Sequence, residues 1–156
     1  PEALTDPGYD TDKARCARGG GAVVVAAAGN NGTDRLREYP AAEGAYGLMA
    51  IGASTSADKL ATFSNFGSWV HLAAPGEGIT SALPGGQFAT WSGTSMATPM
   101  VAGTAALLRS LDRALTPDLV VERLRRDSAS LCGTALRRVD ALAVVSDLPT
   151  APLSWQ

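Results

Sequence analysis

Ala22-Val23-Val24-Val25-Ala26-Ala27-Ala28 is the stretch from which the fold can be read. It shows no polar residue on either alternating face. A half-solvated strand would alternate, so this run suits a parallel strand covered on both sides, and parallel strands belong to α/β folds. Its closing alanines are small enough for other backbone to come close. Gly29 and Asn30 follow and open a polar loop that runs to Pro40. Functional groups of α/β proteins gather at such carboxyl ends of strands.

Outward from this strand, further strands and then helices can be read. Leu48 to Ala53 reads as a second buried strand, and Trp69 to Ala73 as a third, stopped by Pro75-Gly76. Ile79–Leu83 and Gln87–Trp91 flank Pro84-Gly85-Gly86, which suggests a hairpin. From Ser95 to Leu111 the pattern turns helical and apolar nearly all round, so a central, buried helix is expected. Pro99 stands near its first turn, where a missing N–H is best tolerated. Thr116-Pro117-Asp118 supplies cap, proline and first-turn acid to a second helix reaching about Asp127. Val139 to Val145 reads as a short terminal helix. At the start, Pro1 to Asp12 reads as a loop and Thr11 to Arg18 as the last turns of a helix closed by Gly19-Gly20-Gly21. One domain over 1–148 is expected, with 149–156 as a tail or linker.

The 156 residues are 46% hydrophobic, enough for a substantial single core. Thirteen basic and fifteen acidic residues are mixed along the chain, so nothing points to nucleic acid or an anionic membrane as partner. The apolar run at Ala22–Ala28 is far too short to span a bilayer. Cys16 and Cys132 are too few for a disulfide framework and lack metal-ligand spacing. They could pair if the fold joins them, or remain two buried thiols. The first residue is Pro1 and no leader follows it, so a processed product or fragment is expected, with any secretion signal outside it.

The chemistry centres on Ser92-Gly93-Thr94-Ser95-Met96-Ala97-Thr98-Pro99. Ser95 lies between a flexible glycine and the first turn of an apolar helix, as a nucleophile would. The helix start offers unpaired N–H groups and a positive dipole end, both suited to an oxyanion. Asn30 could add a side-chain N–H. Each residue alone has an ordinary explanation: serine caps helices, and Gly29-Asn30 is a common turn pair.

Together with their surroundings these segments resemble the subtilisin-like serine proteases over about residues 20 to 146. AVVVAAAGNNG, with the Tyr39-Pro40-Ala41 loop after it, matches the family's strand and oxyanion-asparagine segment. FSNFGSWVHLAAPG, from Phe63 to Gly76, and SGTSMATP are similar to characteristic family motifs. Ala106-Leu107-Leu108 continues the family's helix, and Arg138-Val139-Asp140-Ala141 resembles its closing one. The resemblance implies a partial subtilisin-like, doubly wound, mostly parallel sheet with a buried central helix beginning at the nucleophile. It implies Ser95 as nucleophile, Asn30 as oxyanion-hole donor, Ala28 and Gly29 as substrate-binding residues, and a polypeptide substrate. Family habit implies an extracellular location.

Departures from the pattern matter as much. The family's catalytic aspartate follows an early strand and its catalytic histidine opens a helix in a His-Gly-Thr-His-like motif, both ahead of the asparagine segment. Neither motif occurs in these residues, nor does the glycine-rich strand that binds substrate opposite Ala28-Gly29. The expected partner is therefore the absent N-terminal half of the catalytic domain, and the isolated chain is expected to be nearly inactive, with an uncovered sheet edge and apolar faces. Met100 stands where many relatives carry histidine, a change of packing beside Ser95.

His71, the only histidine, is not expected to replace the absent base. It reads as mid-strand, at a position where relatives often have aspartate. Asp34, Asp58, Asp112 and Asp140 read as solvated loop, cap or helix-face acids. The chemistry needs no cofactor. Relatives often bind calcium, yet no liganding cluster such as an EF-hand loop is present, and no metal site is assigned. The alternative is a non-catalytic, degenerate relative serving as a binding or scaffold module. An esterase of the α/β-hydrolase type is excluded, because Ala97 stands where its motif needs glycine and no histidine follows Ser95. Nucleotide binding lacks its glycine fingerprint.

Overall fold

The computed structural model describes residues 21–43 and 48–146. The readings at Pro1–Asp12, Thr11–Arg18, Cys16 and 149–156 lie outside them. Strand β1 (Val24–Ala27) runs parallel to β2 (Leu48–Ser54), with Val24 beside Leu48. Strand β3 (Leu72–Pro75) lies parallel on the far side of β2, with Leu72 beside Ile51. All seven residues of β2 are buried, as expected of a central strand covered on both faces. The expected hairpin forms separately: β4 (Ile79–Leu83) and β5 (Gln87–Trp91) pair antiparallel.

Helix α1 (Thr94–Leu111) lies against the sheet, and α2 (Pro117–Arg126) follows it. Thr116 caps α2, its Oγ1 accepting the Leu119 N–H at 3.4 Å. Two short strands, β6 (Ala129–Ser130) and β7 (Arg137–Arg138), extend the sheet to the order β1-β2-β3-β7-β6, parallel except between β6 and β7. Helix α3 (Ala141–Ser146) closes the described chain. Met49, Ile51, Leu72, Val101, Leu108, Val120, Leu124 and Val144 form one core between the sheet and the three helices. The α/β class and the mostly parallel sheet are as expected.

Four expectations are corrected. Strand β1 is only half-buried, because among the described residues it lies at an edge of the sheet rather than between two strands. The third strand begins at Leu72, not Trp69: Val70 donates to the Gly67 carbonyl at 3.1 Å in a turn, and Trp69 and Val70 are buried beside Ala28, Ala41 and Ala50. Their bulk is satisfied by burial without strand pairing. The last helix starts at Ala141, since Val139 N–H bonds the Ala73 carbonyl at 2.8 Å and Asp140 caps the helix by accepting the Ala143 N–H at 3.0 Å.

The fourth concerns α1, expected to be buried nearly all round. Ala97, Val101, Thr104, Ala105 and Leu108 are buried, whereas Met100 is 41% exposed, Leu107 54% and Leu111 42%. Apolar composition shows that a helix face avoids water, not which element covers it. Among the described residues, only one face of α1 has a covering layer.

Candidate active site

The polar loop after β1 is held by Asn65, which is fully buried. Its Nδ2 donates to the Ala28 carbonyl at 2.9 Å, and its Oδ1 accepts the N–H of Asn31 at 3.0 Å and of Thr33 at 3.4 Å. Its own N–H donates to the Gly29 carbonyl at 3.0 Å. One side chain thus satisfies backbone groups that an irregular loop would otherwise bury unpaired. Gly29 has φ +99, and a Cβ there would come 2.5 Å from both Asn65 Nδ2 and Glu38 Cγ, so only glycine suits the position.

The start of α1 is anchored just as closely. Gly93 N–H donates to the Gly76 carbonyl at 2.8 Å. A side chain at Gly76 would meet Ala53 Cβ at 2.7 Å and the Gly93 carbonyl oxygen at 2.8 Å. The bare backbone at Gly76 therefore allows α1 to begin against the carboxyl end of the sheet.

Thr94 joins the two segments. Its N–H donates to Asn30 Oδ1 at 2.8 Å, its hydroxyl donates to the same oxygen at 3.1 Å, and that hydroxyl accepts the Gly29 N–H at 3.1 Å. With Oδ1 engaged twice, the Asn30 amide is oriented and its Nδ2 remains a donor. Ser95 follows Thr94 as an exposed second residue of the helix. Its N–H is among the first four, which have no carbonyl to reach within the helix, and it lies at the positive dipole end. Ser95 and Asn30 line one cleft of about 400 Å³, together with Ala27, Gly29, Glu38 and Tyr39. The serine and the amide singled out from the sequence are brought to one place.

Ala28 stands differently from Gly29. It is fully buried beside Ala41 and Ala50, while Ala27 and Gly29 line the cleft, because neighbouring strand residues face opposite sides. Sequence reasoning passed over Asn65 and Thr94 as functional residues. Thr94 lay inside the quoted motif, and Asn65 was a polar residue within the largely apolar Phe63–Val70 segment.

His71 is remote from this cleft. It precedes β3, where its Nδ1 accepts the Ala50 N–H at 2.9 Å, and it lines a separate cavity of about 1430 Å³ with Leu48, Arg125 and Cys132. Leu48 and His71 mark the amino ends of β2 and β3, whereas Ser95 lies beyond the carboxyl end of β1. Burial pushes the His71 pKa below its ordinary value, and the positive charge of Arg125 adds to this. A depressed histidine pKa stabilises the fold fully above the unfolded value, about 6.5, and the stabilisation is lost as pH falls through that value toward the folded one. Replacing His71 with phenylalanine should flatten the fall in urea-unfolding stability below about pH 6.5 while leaving peptide turnover of a complete protease largely unchanged. A turnover loss of several orders of magnitude would restore His71 as a catalytic candidate.

The acids also do other work: Asp112 and Asp140 accept backbone N–H groups, and Asp58 faces Arg138 at 2.7 Å. Cys132 is exposed and free. Among the described residues no three His, Cys, Asp or Glu side chains gather to hold a metal.

A serine and an amide donor meeting at the carboxyl end of a parallel sheet define an α/β protein with a site suited to acyl transfer. Residues 4–141 match the model of the subtilase family, and the chain belongs to that family. It is 52% identical over 93 residues to a thermophilic serine proteinase of Bacillus sp. strain AK1, covering 60% of this chain and 22% of that protein. It is 46% identical over 108 residues to subtilisin-like protease 7 of Trichophyton equinum, covering 69% and 26%. Among solved structures, a protease of Pseudoalteromonas arctica PAMC 21717 superposes with a TM-score of 0.79 at 29% identity, over 87% of this chain and 45% of that one. A cold-adapted subtilisin-like serine proteinase gives 0.74 at 36% identity, over 84% and 49%. The chain thus spans about a quarter of the curated relatives' length and about half of the solved ones.

Proposed function

We propose that this chain supplies the nucleophile-bearing part of a serine endopeptidase, with the catalytic histidine and aspartate contributed by residues outside these 156. The observation that carries the proposal is the double hydrogen bond from Thr94 to Asn30, which aims the amide at the cleft beside Ser95. Ser95 Oγ attacks the scissile carbonyl as the histidine takes its proton, and the aspartate orients the imidazolium. The developing oxyanion is held by Ser95 N–H and Asn30 Nδ2. Collapse of the tetrahedral adduct returns the proton to the leaving amine, and water then hydrolyses the acyl-serine by the same route.

The substrate is a polypeptide, its residue before the scissile bond lying along the Ala27 and Gly29 wall of the cleft. No cofactor enters the chemistry. Secretion is the expected fate, and no helix among the described residues is long and apolar enough to cross a membrane. A fluorophosphonate probe should label Ser95 in the complete, folded protein; absence of labelling there would overturn the assignment and favour a non-catalytic binding module.

The 156 residues alone should hydrolyse peptides barely, if at all. The half-buried β1 edge and the outer face of α1, with Met100, Leu107 and Leu111, are surfaces for the rest of the catalytic domain to cover. Alone, the chain should therefore self-associate, its light-scattering mass rising with concentration. A monomer that unfolds in one cooperative transition would contradict this.

A further inference from the structure

Among the described residues, the Ser95 cleft contains a single charged side chain, Glu38. It is partly buried, and its Cγ packs over the Cα of Gly29, the residue immediately before Asn30. Its backbone is fixed, the Glu38 carbonyl accepting the Ala42 N–H at 2.8 Å at the start of a 3-10 turn over Ala41–Glu43. Among the described residues, no hydrogen bond or ion pair engages its carboxylate. Of the two arginines closest in sequence, Arg35 is exposed, and the Arg37 guanidinium lies 6.0 Å from the Trp69 ring centroid.

A carboxylate drawn partly out of water without a counter-charge is poorly solvated, and an entering cation restores what it has lost. The position of the acid says which substrate side chain would meet it. With the scissile carbonyl oxygen at Asn30 Nδ2, the residue owning that carbonyl shares the cleft with Ala27, Gly29 and Glu38.

We propose that Glu38 makes this cleft select peptides carrying lysine or arginine immediately before the scissile bond. This rests on the endopeptidase proposal and adds its substrate class. An ammonium or guanidinium reaching Glu38 makes a charge-assisted hydrogen bond, whereas a glutamate side chain in the same place is repelled. Apolar side chains gain only from the small surfaces of Ala27 and Gly29.

The test uses the complete protease and fluorogenic peptide amides that differ only at the residue before the cleaved bond. Arginine and lysine peptides should exceed the phenylalanine peptide in kcat/KM by roughly 10- to 100-fold, the span of one hydrogen bond to a charged group. In Glu38→Gln the arginine-to-phenylalanine ratio should fall by about the same factor, and in Glu38→Lys it should invert in favour of the glutamate peptide. Because the ratio is taken within each variant, the fraction of folded enzyme cancels. A parent enzyme that cleaves the phenylalanine peptide without preferring arginine, or a preference that survives in Glu38→Gln, would overturn the role of Glu38 and leave the endopeptidase standing. Failure to cleave any of the peptides would overturn both.

Discussion

Replacing Ser95 with alanine should abolish peptide hydrolysis by the complete protease and its labelling by fluorophosphonates, while leaving its unfolding midpoint nearly unchanged. Ser95 is exposed, and its side chain takes no part in the Thr94–Asn30–Gly29 network that holds the start of α1. Alanine is also the best helix former, so the second helical position loses nothing structurally. The scale of the loss comes from subtilisin, a member of this family, in which removing the nucleophile serine costs about 10⁶ in kcat. What is specific here is the separation of effects: activity gone, stability kept. A variant retaining even a tenth of the parent turnover would show that another group attacks the substrate.

The second large effect is expected at Asn30, where aspartate is the informative replacement. It keeps an Oδ1 to accept from Thr94 N–H and Oγ1–H, now at 2.8 and 3.1 Å. It exchanges the Nδ2 donor for an anionic oxygen facing the developing oxyanion. Turnover should fall by at least about 10²–10³, the range measured for the oxyanion-hole asparagine of subtilisin itself, with KM changed far less. Stability should hold or rise, because a carboxylate beside the first turn of α1 interacts favourably with the helix dipole. Steady-state kinetics and urea unfolding of the same preparation separate the two. Parallel losses of kcat and stability would mean that Asn30 is a structural joint between loop and helix instead of an electrostatic one.

Much of this was legible because local sequence and tertiary role coincide. An apolar run without alternation suits a covered parallel strand, which is how β2 reads and how it is found, whereas β1, with the same pattern, is half-buried. Thr116-Pro117-Asp118 specifies a helix start by capping chemistry confined to a few residues, and Thr116 caps α2 as expected. Where the outcome depended on distant partners, local pattern was insufficient. Trp69 and Val70 carry strand propensity, yet a turn at Gly67–Val70 buries them beside Ala28 and Ala50. Arg137 and Arg138 have no apolar signal at all, and they pair only because β3 and β6 lie alongside. Asn65 could not be singled out, since its partners at Ala28, Asn31 and Thr33 are more than thirty residues away in the chain.

The amino-acid sequence alone determined the α/β class, the place of the main strands and helices, and the two residues whose chemistry suits acyl transfer. The strands and helices follow from periodicity and capping, which act over a few residues, and the two site residues from the resemblance of their motifs to those of the subtilisin-like family. Only the tertiary structure decided that Thr94 turns the Asn30 amide toward Ser95, that His71 lies at the opposite end of the sheet, and that Glu38 enters the cleft. Each of these depends on groups separated widely along the chain and brought together by the packing of α1 against the carboxyl end of the sheet.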